Sequence, residues 1–403
     1  MKLAVILGDG MADWAVDSLG GKTPLEVANH PFMDRFARDG EFGLVKTVPD
    51  GMKPGSDTAN LSVFGYDPVR YYSGRSPLEA ASLGIDLAET DGTYRCNLVT
   101  LSDESNLADT RMVDYSAGEI STEEARELIL FLDDKLASEG IRLYPGFAYR
   151  HCLVLNNAET GAELMPPHDF SGKSVVGRLP TGTNAALLTH WMETAFALLK
   201  DHPVNRARIA AGKNPANAIW FWGEGRRPAL TPFFEKTGLK GAVISAVDLI
   251  QGIGRCAGME VVKVDGATGT YETNFAGKAA AAIDVLSRGA DYVYLHIEAA
   301  DECGHHGQVK EKVYSIEQID RQVIQPVFDY LERCGEDYAI LVLPDHPTPI
   351  RIRTHSAEPV PFALYRKGDH AGRDVRYTEA DAKSTGVYVE HGHRLVDRMK
   401  SRG

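Results

Sequence analysis

Val342-Leu-Pro-Asp-His-Pro-Thr-Pro-Ile-Arg-Ile-Arg-Thr-His355 reads as the carboxyl end of a buried strand and a loop that carries Asp345, His346 and His355. The strand is the apolar run Ala339-Ile-Leu-Val-Leu343, and another run, Pro359-Val-Pro-Phe-Ala-Leu364, follows the loop. Runs that are apolar at every position suit strands buried on both faces of a parallel sheet. Carboxylate and imidazole donors together suit a divalent transition ion. Calcium prefers an all-oxygen shell, and structural zinc prefers thiolates. The competing reading is a polar turn in which histidines happen to lie close together. Matching donors at other strand ends would separate the two.

Two other strand ends supply them. The run Leu3 to Leu7 ends at Gly8-Asp9-Gly10, and the run Asp291-Tyr-Val-Tyr-Leu-His-Ile-Glu298 is followed by Asp301-Glu-Cys-Gly-His305. At that spacing Asp301 and His305 share one helical face; the adjacent His306 is the rival for the imidazole. In open α/β sheets, sites form beyond the carboxyl ends of the strands. Asp9, Asp301, His305, Asp345, His346 and His355 therefore make a donor set large enough for two ions sharing a cleft. Two divalent ions about 3.5–4 Å apart are a device for clamping the attacking and leaving oxygens of phosphoryl transfer. A lone aspartate at a strand end is usually a helix cap, but several converging ones are harder to explain that way.

Such chemistry needs a nucleophile. Ser56, in Pro54-Gly-Ser-Asp-Thr58, follows a glycine where a helix opens, and free N–H groups with the positive end of the helix dipole favour a phosphoryl group there. A metal ion would activate the hydroxyl without a general-base histidine. The alternative is that Ser56 only caps the helix. Asp57 is either a helix-start acid or a substrate contact.

Composition is that of an ordinary soluble globular protein. The 403 residues suffice for two domains, and a formal net charge of −13 with dispersed Lys and Arg argues against a nucleic-acid surface. Scattered cysteines, with no C-x-x-C pair, point to a reducing compartment, and no apolar run approaches membrane-spanning length. The expected location is cytoplasmic.

Helical periodicity runs from about Thr23 to Arg38, with Pro24 in the first turn and Gly40 as the stop. From Tyr94 to Val176 short alternating runs surround a helix expected over Thr122 to Glu139. Ser121 is its N-cap, Glu124 completes a capping-box pattern and Gly140 is its C-cap. Strand–helix alternation then resumes with runs at Ile219–Trp222, Gly241–Ser245 and Glu260–Val264. A long helix is expected over Glu311–Arg333, bent at Pro326. The expected fold class is α/β: a doubly wound, mostly parallel sheet with a smaller inserted α+β domain. The expected domains are a discontinuous core, 1–88 and 184–403, and an insert, 89–183, acting as lid.

The motifs Leu7-Gly-Asp-Gly-Met-Ala-Asp13, Gly55-Ser-Asp-Thr-Ala-Asn-Leu-Ser-Val-Phe-Gly-Tyr-Asp-Pro68, Gly74-Arg-Ser-Pro-Leu-Glu-Ala-Ala81, Arg95-Cys-Asn-Leu98 and His202-Pro-Val-Asn205 continue with Pro215-Ala-Asn217, Asp301-Glu-Cys-Gly-His305, Asp345-His346 and Thr354-His355. In combination, over essentially the whole chain, they resemble the archaeal-type cofactor-independent phosphoglycerate mutases of the alkaline phosphatase superfamily. The resemblance implies interconversion of 2- and 3-phosphoglycerate through a phosphoserine on Ser56, without 2,3-bisphosphoglycerate. It implies one ion held by Asp9, Ser56, Asp345 and His346, and a second by Asp301, His305 and His355. The usual ions in such sites are Mn²⁺, Zn²⁺ or Mg²⁺. Arg75, Arg150, Arg178, His168 and Lys278 are candidates to hold the substrate, a small phosphorylated metabolite. The oligomeric state is left open.

One passage departs from the family. Pro344-Asp-His-Pro-Thr-Pro349 stands where typical mutases read Gly-Asp-His-Ser-Thr-Pro. This variant looks like a bacterial branch proposed to be a homoserine kinase, which keeps that activity, or a plain phosphomonoesterase, as alternatives. A pseudoenzyme using the fold only for binding is the reading from another class.

Overall fold

The computed structural model describes residues 1–401; Arg402 and Gly403, the end of the expected core segment, lie outside the described residues. The chain divides into two compact units, Met1–Tyr72 with Ala229–Gly403, and Ser73–Pro228.

The first unit is built on an eight-stranded sheet. Its strand order begins Glu260–Val262, Gly241–Ile244, Tyr292–Ile297, Lys2–Gly8 and Tyr338–Leu343, all parallel. It ends with Val360–Arg366, antiparallel to both its neighbours, then Glu41–Val45 and Tyr388–Val389. Lys2–Gly8, Tyr292–Ile297 and Tyr338–Leu343 are buried at every position. Alternate side chains on a strand point to opposite faces, so complete burial means both faces are covered, as the unbroken apolar runs predict. Each fully buried Val, Leu or Ile contributes about 1.5–3 kcal/mol, which holds these three strands rigidly in place.

The register sets the site. Gly8 pairs with Ile297, and Leu7 pairs with Leu343. The three central strands thus stop level with one another, and the loops that follow leave from one rim.

Several expected elements differ in the structure. The helix expected from Thr23 to Arg38 is two helices, Pro24–Val27 and Pro31–Asp39. The break falls at Pro31, which offers no N–H and forces His30 out of helical geometry (φ −134°, ψ 67°). The first piece has a complete capping box between Thr23 and Glu26. The long helix expected over Glu311–Arg333 begins at Val309 and passes through a π-helical turn, Ile319–Ile324, immediately before the segment carrying Pro326. The wider turn accommodates the proline's missing donor. The run at Pro359–Leu364 does form the expected strand, Val360–Arg366, and it lies antiparallel to its neighbours in the otherwise mostly parallel sheet.

The second unit is an antiparallel sheet around Gly92–Leu101, which pairs with Met112–Asp114, Arg150–Leu155 and Ala218–Arg226, while Ile141–Phe147 extends the edge beyond Arg150–Leu155. Leu128, Ile129 and Leu132 of Thr122–Leu136 pack in one core with Trp191, Met192 and Phe196 of Ala185–Leu199. The expected insert, 89–183, falls inside this unit, which extends further at both ends. The cause is the pairing of Ala218–Arg226 along Gly92–Leu101, from Val99 opposite Ala218 to Gly92 opposite Arg226. A short apolar strand does not announce which sheet it joins.

The helix expected over Thr122–Glu139 ends at Leu136, with Ala137 extended (φ −60°, ψ 143°). Gly140 instead serves the turn before Ile141 with φ 79°. Ser121 does accept from Glu124 N. The Glu124 carboxylate is taken by Arg208 at 2.6 Å, so only half of the expected box forms. No helix among the described residues is long and apolar enough to cross a membrane.

Candidate active site

The loops at the rim bring the six strand-end residues together. Asp9 follows Lys2–Gly8, Asp301 and His305 lie on the short helix Ala299–His306, and Asp345 and His346 follow Tyr338–Leu343. Asp9, Asp345 and His346 offer donor atoms within 4.8 Å of one another. His346 Nε2 is 3.3 Å from Asp345 Oδ2 and 3.7 Å from Asp9 Oδ1. Asp301, His305 and His355 form a second group. His305 Nε2 is 3.2 Å from Asp301 Oδ2, His355 Nε2 is 3.5 Å from Asp301 Oδ1, and the two imidazole nitrogens are 3.0 Å apart. His306 stays on the exposed side, its Nδ1 against Glu302 O.

Ser56 sits where the two groups meet. It is the first residue of the helix Ser56–Val63, and Gly55 is the cap, in extended geometry and without a side-chain cap bond. Ser56 therefore stands inside the helix and not at its cap position, so its hydroxyl is not a capping group. Ser56 Oγ lies 3.2 Å from His346 Nε2. A side chain on Gly55 would press on Asp57 Oδ1 at 2.8 Å and reach to 4.0 Å from His355 Nδ1, so glycine here clears space beside both groups. Asp57 is spoken for locally: it accepts from Thr58 N at 2.9 Å and from Tyr72 Oη at 2.7 Å.

Three supports escaped the sequence reading. Asn60, buried mid-helix, donates to both Ser56 O and Asp345 Oδ2 at 2.8 Å and accepts from Tyr294 Oη at 2.6 Å. It ties the serine's helix to the rim. Thr348 donates to Asp301 Oδ1 and lies 3.3 Å from His346 Nδ1, bridging the two groups. Glu298 is the third: with Asp9 and Asp301 it forms a further cluster of donors within 4.8 Å. Behind the rim, buried Lys312 donates to Asp13 Oδ2 at 2.7 Å and to Thr348 O at 2.8 Å, locking the loops to each other. Asn60 and Thr348 lie inside motifs already quoted, but a buried amide or hydroxyl looks like any other polar residue in a sequence.

The rim is short of positive charge. Burial first, then the charges of Asp345, Asp301 and Glu298, push the Asp9 carboxyl well above its ordinary range. Burial opposes ionisation of Asp301 too, but hydrogen bonds from His305 and His355 overcome it and hold that carboxyl well below the usual range. The Asp301 contact raises His305 to about 9, whereas burial lowers His346. Asp9 Oδ1 is buried and receives no hydrogen bond. A buried carboxylate oxygen without a donor, among like charges and beside imidazoles, fits a divalent cation. Lys278 is also buried, with its ammonium 3.5 Å from Thr268 O; burial lowers its pKa to about 8 against the pull of Glu298.

The second unit holds a cluster of opposite sign. Glu79 is 3.0 Å from Arg75 Nε and 2.8 Å from Arg95 Nε. The Arg95 guanidinium stacks 3.9 Å from the centre of the Trp222 ring. Burial, and then the charges of Arg75 and Arg150, lower Arg95 to about 10 although Glu79 opposes them. His168 packs edge-on against Trp222, and its pKa is lowered by burial and by Arg95 and Arg75, against Asp169. Arg75, Arg150 and His168 are thus gathered around Arg95 and Glu79, two residues that nothing in their sequence spacing marks as part of a site. Arg178 is differently engaged: Nη1 donates to the carbonyls of Ser174 and Val176 in its own loop. Arg75 and Glu79 do stand one helical turn apart in Gly74-Arg-Ser-Pro-Leu-Glu79, but any helical ion pair shares that spacing.

A family model described as 2,3-bisphosphoglycerate-independent phosphoglycerate mutase matches residues 37–205. The chain is 50% identical over 396 residues, 98% of each chain, to the 2,3-bisphosphoglycerate-independent phosphoglycerate mutase of Methanothrix thermoacetophila. It is 51% identical over 367 residues, 91% of this chain and 90% of the other, to that of Methanosarcina barkeri. Among solved structures it resembles the cofactor-independent phosphoglycerate mutase of Thermoplasma acidophilum, with a TM-score of 0.69 and 27% identity over 99% of each chain. With half of its residues identical to a relative along nearly the full length of both, the chain belongs to the family of 2,3-bisphosphoglycerate-independent phosphoglycerate mutases.

Proposed function

We propose that this mutase works through a phosphoserine on Ser56, and the placement of its hydroxyl 3.2 Å from His346 Nε2 at a helix start is the observation that carries the reading. Asp9, Ser56, Asp345 and His346 would hold one divalent ion (Mn²⁺, Zn²⁺ or Mg²⁺), and Asp301, His305 and His355 would hold another. When bound, such ions lower the pKa of the serine hydroxyl and offset the charge on the phosphoryl oxygens. Ser56 gives up its hydroxyl proton as Oγ bonds to phosphorus and the bond from phosphorus to the substrate oxygen breaks, and that oxygen takes a proton and leaves as the hydroxyl of glycerate. Glycerate re-docks. Its other hydroxyl loses a proton and attacks the same phosphorus, and Ser56 is released.

The chain's own residues orient this exchange. Asn60 fixes the serine's turn against Asp345, so attack needs little reorganisation. The positive end of Ser56–Val63 and the ammonium of Lys278 favour the transferring group. The guanidinium groups of Arg75, Arg95 and Arg150 have the charge and fork geometry to hold the substrate carboxylate. In the second unit, Glu79 keeps two of them oriented. His168, packed against Trp222 in that unit, is the imidazole suited to move a proton.

Incubation with 3-phosphoglycerate, an acid quench and peptide mass spectrometry test the central step. A phosphorylated Ser56 peptide, and loss of enolase-coupled turnover in Ser56→Ala, are expected. Phosphate on another residue, or a turning-over Ser56→Ala protein, would overturn it. Phosphorylation of homoserine by ATP without turnover of phosphoglycerate would favour the kinase reading, and rapid phosphate release from an aryl phosphate would favour a phosphomonoesterase.

A further inference from the structure

His296 lies in the buried strand Tyr292–Ile297 and is itself fully buried, yet the steps above give it no task. Its Nε2 is 3.0 Å from Asp9 Oδ2, and its Nδ1 is 3.1 Å from Ser245 Oγ. Ser245 Oγ also accepts the backbone N–H of Val247 at 3.0 Å. These contacts have one consistent polarity. With an ion bound, Asp9 is ionised and its oxygens only accept, so the ring proton then belongs on Nε2, 3.0 Å from Asp9 Oδ2. A neutral imidazole then presents a lone pair at Nδ1, and the Ser245 hydroxyl donates into it while its oxygen takes the Val247 N–H.

The two oxygens of Asp9 are thereby made unequal. Oδ2 is committed to the imidazole, whereas Oδ1 is buried without a hydrogen bond and lies 3.7 Å from His346 Nε2. We propose that His296, with its tautomer set by Ser245, is a positioning residue that turns Asp9 so that only Oδ1 is offered to the Asp345–His346 cluster. The inference rests on the two-ion reading above and refines it: Asp9 contributes one oxygen, in an orientation fixed before any ion arrives. Partners of this kind, holding a ligating group from behind, tune both its direction and its donor strength.

Mn²⁺ titration of the metal-stripped, full-length protein, together with ¹⁵N NMR of the histidines in its Zn²⁺-loaded form, tests the assignment. In the wild type, His296 is expected to carry its proton on Nε2 and none on Nδ1, and the protein to bind two ions. In His296→Leu one of the two ions should bind about 10–100-fold more weakly, with the other unchanged. Ser245→Ala, a milder change, should weaken the same ion by a smaller factor. His296→Gln, whose amide nitrogen reaches the position of Nε2, should recover most of the affinity. A proton on Nδ1, or unchanged binding of both ions in His296→Leu and Ser245→Ala, overturns the proposal while leaving the two-ion reading intact. A wild-type protein that binds no Mn²⁺ would sink the two-ion reading, and this inference with it.

Discussion

In the first unit the carboxylates of Asp9, Asp301 and Glu298 crowd donor oxygens within 4.8 Å of one another. In the second, Arg75, Arg95 and Arg150 surround the single carboxylate of Glu79. Burial first, and like charges after it, push Asp9 up in one place and Arg95 down in the other, so each ionised group is held at a cost. Both costs fall when a ligand of opposite sign arrives: a cation in the first unit, an anion in the second. A charge imbalance kept inside a well-packed frame is thus a mark of something to be bound. It contrasts with the buried Lys312–Asp13 pair, whose charges cancel and whose task is to hold loops.

The largest expected effect comes from altering the acidic side of this comparison. Asp301→Asn removes a charge shared by His305 and His355, and several kcal/mol of electrostatic help at the reacting group corresponds to a loss of about 10³-fold in kcat. Enolase-coupled kinetics, with metal content measured on the same samples, checks it. An unchanged kcat with full metal content would remove Asp301 from the chemistry.

Changing the basic side should read out differently. Arg150 is exposed, so Arg150→Met is not expected to disturb folding. Loss of one charge-assisted contact to a carboxylate, about 2–3 kcal/mol, should raise KM for phosphoglycerate about 30–150-fold with kcat largely kept. A fall in kcat at constant KM would reverse the roles assigned to the two clusters.

The second unit also has its own acid sensitivity. His151 is buried, accepts from Gly146 N at 3.0 Å, and burial lowers its pKa from 6.5 to about 3. The folded pKa lies below the unfolded one, so the neutral ring's contribution is complete above about pH 6.5 and is lost as pH falls towards about 3. Between pH 7 and pH 4.5 this amounts to about 2–3 kcal/mol. Trp191, Trp220 and Trp222 lie in this unit, so urea unfolding followed by tryptophan fluorescence reports on it. His151→Gln should flatten the pH dependence over that window; an equally steep profile would place the sensitivity elsewhere.

The smallest effect is local. Ser121→Ala removes the cap bond to Glu124 N and should cost about 1 kcal/mol in the same unfolding assay. A cost well above that would show that the cap also supports the Glu124–Arg208 pair.

Much of the rim is legible in the chain because it rests on short-range rules. Unbroken apolar runs predict doubly buried parallel strands, such strands end at one edge, and Asp9, Asp301 and Asp345 stand just past those ends. Spacing favours His305 over His306, since neighbouring residues on a helix point about 100° apart and only one of them can share the face of Asp301. The fold put His305 inward and left His306 exposed. The boundary of the second unit was missed because Ala218–Arg226 and the strands of the first sheet share the same apolar texture.

What the sequence by itself determined is the class of fold and the donor set: three buried strands, and acids and imidazoles placed after them. Tertiary structure alone decided which oxygen of Asp9 is free, that Ser245 and His296 stand behind it, and that Arg95 joins Arg75 and Arg150 around Glu79. The physical reason is range. Backbone periodicity and strand ends are written within a few neighbouring residues. A hydrogen bond between side chains 287 positions apart, as from His296 to Asp9, exists only once the sheet has set the register that brings them together.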